Sequence, residues 1–276
     1  MKSRVLGRTF SSLIFAFLYA PIVFLIVFSF NDSKSRTHWA GFTTKWYQAL
    51  FQDDLIINSL NTTLFVAVVS AVVATVIGTL SAIGINSMKK RPRSALMTIN
   101  NIPVTNPDII TGVSLMLLFV SAGSFFGLRL GLATLILAHI TFNIPYVILS
   151  VMPKLRQLSR HTFEAALDLG ATPLQAYMRV IVPEIMPGII SGFIMAFTMS
   201  IDDFVISYFT AGSNVQTLPM TIYSMTRKRI SPEINALSTL MFVTVLLLLV
   251  FINVYQARGA KARDDELYRY EEVDSK

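Results

Sequence analysis

The chain has 276 residues, of which 53% are hydrophobic and 14% are charged, and its formal net charge is +7. This composition excludes an ordinary soluble domain and indicates an integral membrane protein, in which basic residues beside apolar spans report orientation rather than nucleic-acid binding. Because cysteine is absent and the three histidines are scattered, a disulfide framework and a zinc motif are also excluded.

Six apolar stretches are each long enough to cross about 30 Å of hydrocarbon as a helix. They lie near residues 10–30, 59–85, 102–122, 132–152, 186–209 and 234–256. The sequence therefore predicts an all-α integral membrane protein with six transmembrane helices. Its expected parts are a first transmembrane helix with an external interfacial arm in residues 1–58, a transmembrane core in residues 59–256, and a cytoplasmic tail in residues 257–276.

Basic residues are distributed unequally between the two sides of these spans. Residues 1–10, 86–98, 153–183 and 257–276 fall on one side and carry 16 of the 23 Lys and Arg residues. The positive-inside rule places that side, and with it both termini, in the cytoplasm. The cluster Arg227, Lys228 and Arg229 falls on the opposite side, and nothing in the sequence accounts for it.

Residues 159–183, between the fourth and fifth spans, are amphipathic and divided like a pair of short helices. Gly170 stands where a left-handed cap would end the first helix. Thr172 and Gln175 fit a capping box that starts the second helix, and Pro183 is expected to stop it before the fifth span. Periodicity alone leaves open whether this hairpin only covers the end of the bundle or docks a partner.

Two adjacent carboxylates, Asp202 and Asp203, lie about sixteen residues into the fifth predicted span. Ionisable residues inside a span usually face a cavity or a partner and mark a transport path, and a carboxylate pair suits an ammonium group better than an anion. As neighbours on a helix they would point about 100° apart, so we expect one to face the pathway while the other packs. Purely structural pairing is the alternative.

Other polar and aromatic residues carry weaker signals for the same pathway. Asp108 follows a proline and either caps a helix or lines the path. His139 and Asn143 lie four apart on the fourth span, and either line the path or form interhelical hydrogen bonds. Tyr208 and Tyr223 near the outer end could form cation-π contacts with an alkylammonium or belong to an interfacial aromatic belt.

The hairpin resembles the EAA loop of ABC importer permeases. Glu164, Ala165 and Ala166 are followed after three residues by Gly170, and after nine more by the stretch VIVP, where the family has I-x-L-P. Longer stretches, among them NPDIITGVSLMLLF and FTMSIDDFVISYF, are most similar to spermidine/putrescine permeases of the PotC type. This resemblance extends over nearly the whole chain except the tail.

The resemblance implies a type I ABC importer permease in the bacterial cytoplasmic (inner) membrane, with a coupling helix that docks onto an ABC ATPase dimer. It also implies a second related permease and an extracytoplasmic polyamine-binding protein as partners. The sequence contains no G-x-x-x-x-G-K-[ST] loop to cradle nucleotide phosphates, so we expect the partner ATPase to use ATP and Mg. The chain itself is expected to bind no cofactor or metal and to catalyse no reaction.

Two other functions remain possible at this point. The same machinery could import another solute, such as ferric iron or thiamine, because the coupling loop says nothing about cargo. Alternatively, an ion-driven secondary transporter would bind protons or sodium at Asp202, Asp203 and Asp108, and inverted-repeat symmetry in the sequence would favour it. The choice between spermidine and putrescine is not encoded in any pattern described above.

Overall fold

The computed structural model describes residues 2–33, 38–159, 161–228, 232–247 and 249–250, and the regular structure in these ranges is helical apart from one isolated bridge between Asn31 and Phe42. The helices are α1 (Lys2–Phe28), α2 (Lys45–Leu50), α3 (Asp54–Ser87), α4 (Lys90–Thr105), α5 (Asp108–Phe126), α6 (Leu132–Gln157), α7 (His161–Asp168), α8 (Pro173–Ala176), α9 (Val182–Asp202), α10 (Val205–Thr210), α11 (Leu218–Lys228) and α12 (Pro232–Leu247). The predicted all-α class is thus confirmed.

Within the described ranges, five helices are long and apolar enough to cross a membrane. They are Gly7–Phe28, Asp54–Ser87, Asp108–Phe125, Leu132–Gln157 and Pro173–Asp202. Helix α12 is apolar but shorter. The predicted sixth span continues from it into residues that lie outside the described ranges, and the predicted tail lies outside them as well. The sixth span therefore stays a prediction.

The third span begins later than the sequence predicted. Helix α4 ends at Thr105, and Asn106 and Pro107 adopt extended backbone before α5 starts at Asp108. This break has a local cause, because a residue that precedes proline is disfavoured in the helical region. The predicted bounds 102–122 were therefore wrong: the span is α5, and most of the predicted loop before it is the separate helix α4.

The chain divides into two compact units, one of residues 58–221 and one of residues 1–57 with 222–276. In the second unit, the arm after α1 packs back onto the end of that helix. The Trp46 indole donates a hydrogen bond to the Asn31 carbonyl (2.8 Å), and the Tyr47 and Ser29 hydroxyls are 2.7 Å apart. The apolar length of α1 is otherwise exposed, which leaves it free to face lipid or another subunit.

Small residues let α3 and α9 approach α6 in the larger unit. A Cβ atom added at Gly192 of α9 would lie 3.2 Å from the Val147 Cα on α6, and one added at Gly78 of α3 would lie 2.7 Å from the Val147 Cβ. Close backbone approach through small residues is the usual way in which membrane helices gain packing energy. Three helices therefore meet at Val147 and form the centre of the unit.

Replacement of Gly78 by alanine should destabilise the protein, because the new methyl group has no room against α6. We expect a cost of about 1–3 kcal/mol, observed as a lower melting temperature of the purified protein in detergent. Gly84→Ala on the same helix is the matched control, since a Cβ atom there has no neighbour within 4 Å. Equal melting temperatures for the two variants would contradict this packing.

Candidate functional site

The predicted left-handed cap is present at the tip of the hairpin. Gly170 has φ +87°, its N–H donates to the Leu167 carbonyl (2.9 Å), and the Ala171 N–H donates to the Ala166 carbonyl (3.1 Å). These two hydrogen bonds form a Schellman motif that ends α7. The prediction of a left-handed cap at Gly170 is therefore confirmed, and the reversal of the chain at this point has a defined geometry.

The predicted capping box is also present. The Gln175 N–H donates to the Thr172 hydroxyl (3.4 Å), and the Thr172 N–H donates to the side-chain oxygen of Gln175 (3.0 Å). Each residue thus satisfies one N–H group of the other at the start of α8. The two helices of the hairpin are joined by only the short turn between these caps.

The prediction that Pro183 stops the second helix was wrong. Helix α8 passes through a π-helical turn, Tyr177–Ile181, directly into α9, so Pro173–Asp202 is one helix of 30 residues. Proline removes one N–H donor, and the wider π turn just before it shifts the hydrogen-bond register and accommodates that loss. The second arm of the hairpin is consequently the start of one helix about 45 Å long, which we call the rod.

The hairpin presents apolar side chains that the sequence analysis did not single out. Leu169, Leu174 and Met178 are 90%, 72% and 60% exposed. Of the predicted coupling residues, Glu164 and Ala165 are exposed, whereas Ala166 is buried against the protein. Exposed apolar residues around a rigid turn are typical of an interaction surface. Their signal in the sequence was faint, because single leucines near a cap look like part of a helix face.

At its other end the same rod stops in a second break. Helix α9 ends at Asp202, Asp203 has an extended backbone (φ −66°, ψ 123°), and α10 begins at Val205. The expectation that the two aspartates point about 100° apart on one continuous helix was therefore wrong. The helix ends between the two residues, so their surroundings differ far more than those of two neighbours about 100° apart on one helix.

Asp203 is held by the first turn of α10. Its carboxylate accepts hydrogen bonds from the Ile206 N–H (3.2 Å), the Ser207 N–H (2.7 Å) and the Ser207 hydroxyl (2.8 Å), and its side chain is only 8% exposed. These N–H groups belong to a helix start, where they would otherwise lack partners. Asp203 is thus a structural cap for α10.

His139 on α6 completes this cluster. Its Nε2 atom lies 3.1 Å from the Ser207 hydroxyl oxygen and 3.5 Å from the Asp203 carboxylate. Ser207 gives its only hydroxyl proton to Asp203, so His139 must carry its proton on Nε2 and donate it. The buried Nδ1 atom has no hydrogen-bond partner in the described part of the chain.

A second set of hydrogen bonds crosses the same core. Asn143 donates to the Ser200 hydroxyl (2.8 Å), which lies 3.1 Å from the Ser70 hydroxyl on α3. All three side chains are buried. His139 and Asn143 therefore both take part in interhelical hydrogen bonds, one of the two roles that their spacing on α6 left open.

Asp202 lies in a different environment from its neighbour. It is the last residue of α9 and is exposed in the isolated chain, and its carboxylate is repelled by the like charges of Asp203 and Asp108. Asp108 is the first residue of α5 and makes no side-chain cap there, and the half-buried Tyr146 on α6 lies close enough to feel its charge. Sequence reasoning missed Tyr146, whose only signal was its place beside a proline in the fourth span.

The two helix breaks are brought together by close packing of α5 on α10. A Cβ atom at Gly112 would lie 3.0 Å from the Phe209 ring and 3.4 Å from the Ile206 Cα. Three carboxylates, those of Asp108, Asp202 and Asp203, are thus gathered where α5 begins and α9 ends. Among the residues that the structure describes, none of the three pairs with a lysine or an arginine.

The two predicted aromatic residues are not brought to one place within either unit. The Tyr208 ring is exposed and lies 5.5 Å from both the Phe204 and Phe209 rings, next to the break. Tyr223 belongs to the other unit, where the Arg227 guanidinium lies 5.5 Å from its ring centre. A cation already occupies that ring face, and this contact gives Arg227 a partner that the sequence did not reveal.

Comparisons with known proteins cover most of the chain. Residues 74–262 match the family described as "Binding-protein-dependent transport system inner membrane component". The chain is 40% identical over 258 residues to the putrescine transport system permease protein PotI of Escherichia coli (strain K12), covering 92% of each protein. It is 38% identical over 250 residues to the spermidine/putrescine transport system permease protein PotC of the same strain, covering 91% of this chain and 93% of that protein.

The fold is also that of a solved structure. A bacterial alginate ABC transporter, in complex with an alginate pentasaccharide-bound periplasmic protein, has a chain that aligns with a TM-score of 0.70. The alignment covers 92% of this chain and 94% of the other at 18% identity. At that identity the likeness establishes the architecture of the helices and nothing about cargo.

Proposed function

This chain belongs to the family of binding-protein-dependent inner-membrane transport components and is a permease subunit of a polyamine ABC importer, and we propose that its cationic cargo passes the helix break at Asp202. The chain is a transport component rather than an enzyme. The proposals below concern the route of the cargo, the partners and the motion, and they rest on the two breaks and on the hairpin.

The observation that carries the proposed route is the different state of the two aspartates. Asp203 accepts three hydrogen bonds within the protein and contacts His139, so both of its carboxylate oxygens already have partners. No side chain of a described residue donates to the Asp202 carboxylate, which stands at the negative end of the α9 dipole. A cation bound there would meet a carboxylate and a helix terminus of favourable sign.

Asp108 and Tyr146 give the route its second contact. The Asp108 charge repels that of Asp202 and is felt at Tyr146, so an alkylammonium at the break would relieve the repulsion between two carboxylates near an aromatic ring. A polyamine carries several ammonium groups separated by short apolar chains, and it suits alternating acidic and aromatic contacts. We propose Asp202 and Asp108 as contacts for the cargo, with Tyr146 and Tyr208 as aromatic neighbours.

The hairpin is proposed to dock onto an ABC ATPase dimer. Its support is the rigid, doubly capped turn with three exposed apolar side chains, next to Glu164 and Ala165. We further propose a second related permease against α1, whose apolar length is exposed. An extracytoplasmic polyamine-binding protein would dock on the side of the membrane opposite the hairpin. In this arrangement the chain has six spans, and both termini are cytoplasmic.

A single rod links ATP hydrolysis to the cargo site in this proposal. The helix Pro173–Asp202 begins in the hairpin and ends at the proposed cargo contact. When the ATPase subunits close and move the hairpin, the rod carries Asp202 with it, and the break between α9 and α10 absorbs the change in angle. The site would thereby open alternately to the two sides of the membrane.

Asp202→Asn should lower polyamine uptake, and Asp203→Asn should instead lower stability. Loss of a charge-assisted contact to the cargo corresponds to about 1.5–3 kcal/mol, or roughly tenfold to a hundredfold in affinity. Radiolabelled putrescine uptake into cells and the melting temperature of the purified importer measure the two effects. The affinity of the binding protein for polyamine is the control and should be unchanged. Parental uptake by a fully assembled Asp202→Asn importer would contradict the route.

Gly170→Ala should uncouple the hairpin from the ATPase, because alanine at φ +87° is strained and disturbs the cap. Gly127→Ala is the matched control: this glycine has φ +69° at the end of α5 and likewise has open space around a Cβ atom. Both variants should lose about 1 kcal/mol of stability. Only Gly170→Ala should also reduce ATPase stimulation by the loaded binding protein. Equal stimulation in both variants would show that the hairpin is a cover.

A further inference from the structure

A cavity of about 780 Å³ lies at the base of the hairpin, on the opposite end of α9 from the acidic break. Its walls come from the end of α3, the start of α4, the end of α6, helix α7 and the π turn. All of these elements belong to the unit of residues 58–221. The polyamine route described above does not use this cavity.

Four cations line the cavity: Lys89, Lys90, Arg93 and Arg156. No carboxylate is among its described lining residues, and none of the ion pairs in the described ranges lies there. Like charges gathered around one space repel one another, so an anion that entered it would relieve this repulsion. The cavity therefore has the electrostatic character of an anion site.

The fold itself defines two features of the cavity, the position of Arg93 and the start of α4. Arg93 is fixed by the end of α3, where its Nη2 atom donates to the carbonyls of Asn86 and Met88, and its buried Nε–H has no partner in the described chain. Helix α4 starts at Lys90 without an acidic residue in its first turn and without a side-chain cap. Since Pro92 has no N–H group, Lys90 and Arg91 supply the N–H donors at this helix start, and the positive end of the helix dipole adds to the cationic charges.

Part of the remaining lining is apolar or aromatic, beside the polar residues Asn86, Ser87 and Ser159. Ile83, Leu155 and Phe163 face the same space as the cations. An ion that is fully hydrated gains nothing from such walls, whereas an amphiphile places its charge on the basic side and its hydrocarbon against the apolar side. Basic pockets between membrane helices on the cytoplasmic side are typical sites for anionic lipid headgroups.

We propose that this cavity binds a phosphate ester, with the headgroup of an anionic phospholipid as its source. The Phe163 and Tyr177 rings, 4.9 Å apart, line the cavity and belong to the two arms of the hairpin. An occupied cavity would brace both arms against α3, α4 and α6. The lipid would thereby hold the proposed docking element in position, whatever the cargo is.

The test is a titration of phosphatidylglycerol onto the assembled importer, followed by native mass spectrometry. Lys90→Gln and Arg156→Gln should each weaken the tightest bound lipid roughly fivefold, since each removes one cation from the site. Arg91→Gln is the matched control, because Arg91 neighbours Lys90 but does not line the cavity. Arg93 is left unchanged, since it also holds the end of α3.

A second arm separates the lipid from a soluble source. Importer in phosphatidylcholine nanodiscs is heated with increasing inorganic phosphate, and its melting temperature is compared between the parent and Lys90→Gln. A shift that depends on Lys90 would support the phosphate site with a soluble ligand as its source. Equal lipid affinity in all variants together with no phosphate shift would overturn the proposal. Lost ATPase association in Lys90→Gln, with lipid affinity intact, would overturn it in favour of a protein-docking role.

Discussion

A helix that is interrupted within an apolar segment must find partners for its free backbone groups, and Asp203 provides them here. In hydrocarbon each unsatisfied N–H or C=O group costs several kcal/mol, so an irregular stretch between two helices needs local compensation. The Asp203 carboxylate accepts hydrogen bonds from the Ile206 and Ser207 N–H groups in the first turn of α10, and the Ser207 hydroxyl and His139 hold that carboxylate in place. The break, the exposed end of α9 and the free carboxylate of Asp202 all depend on this one cap.

The position of the break explains how a movement of the hairpin would reach the proposed cargo site. Because the π turn absorbs Pro183 and α9 continues through Pro187, the helix is continuous from Pro173 to Asp202, so the first point beyond the hairpin where the helix ends is the acidic break. A displacement applied at the exposed leucines of the hairpin would reach the carboxylate cluster with little loss. The breaks before α5 and after α9 are packed together through Gly112, so a change at one would be felt at the other.

Local chemistry was predicted well from the sequence, and relations between distant segments were not. The cap at Gly170 and the box of Thr172 and Gln175 depend on neighbouring residues only, so their pattern was sufficient. Pro183 was misread because a proline predicts a helix end unless a π turn precedes it, and that turn depends on tertiary packing. The sequence did not show which of Asp202 and Asp203 packs inside the protein, because the contacts that separate them come in part from His139, more than sixty residues earlier.

The most direct test of a rigid link between hairpin and break is a distance measurement along the rod. The chain has no cysteine, so single cysteines at Leu174 and Met195, both exposed, can carry spin labels without background. Their separation should be about 32 Å and should keep one narrow distribution in the nucleotide-free and ATP-trapped importer. A second population, or a shift of several ångströms on ATP binding, would mean that the rod bends at the π turn and would contradict the proposed coupling.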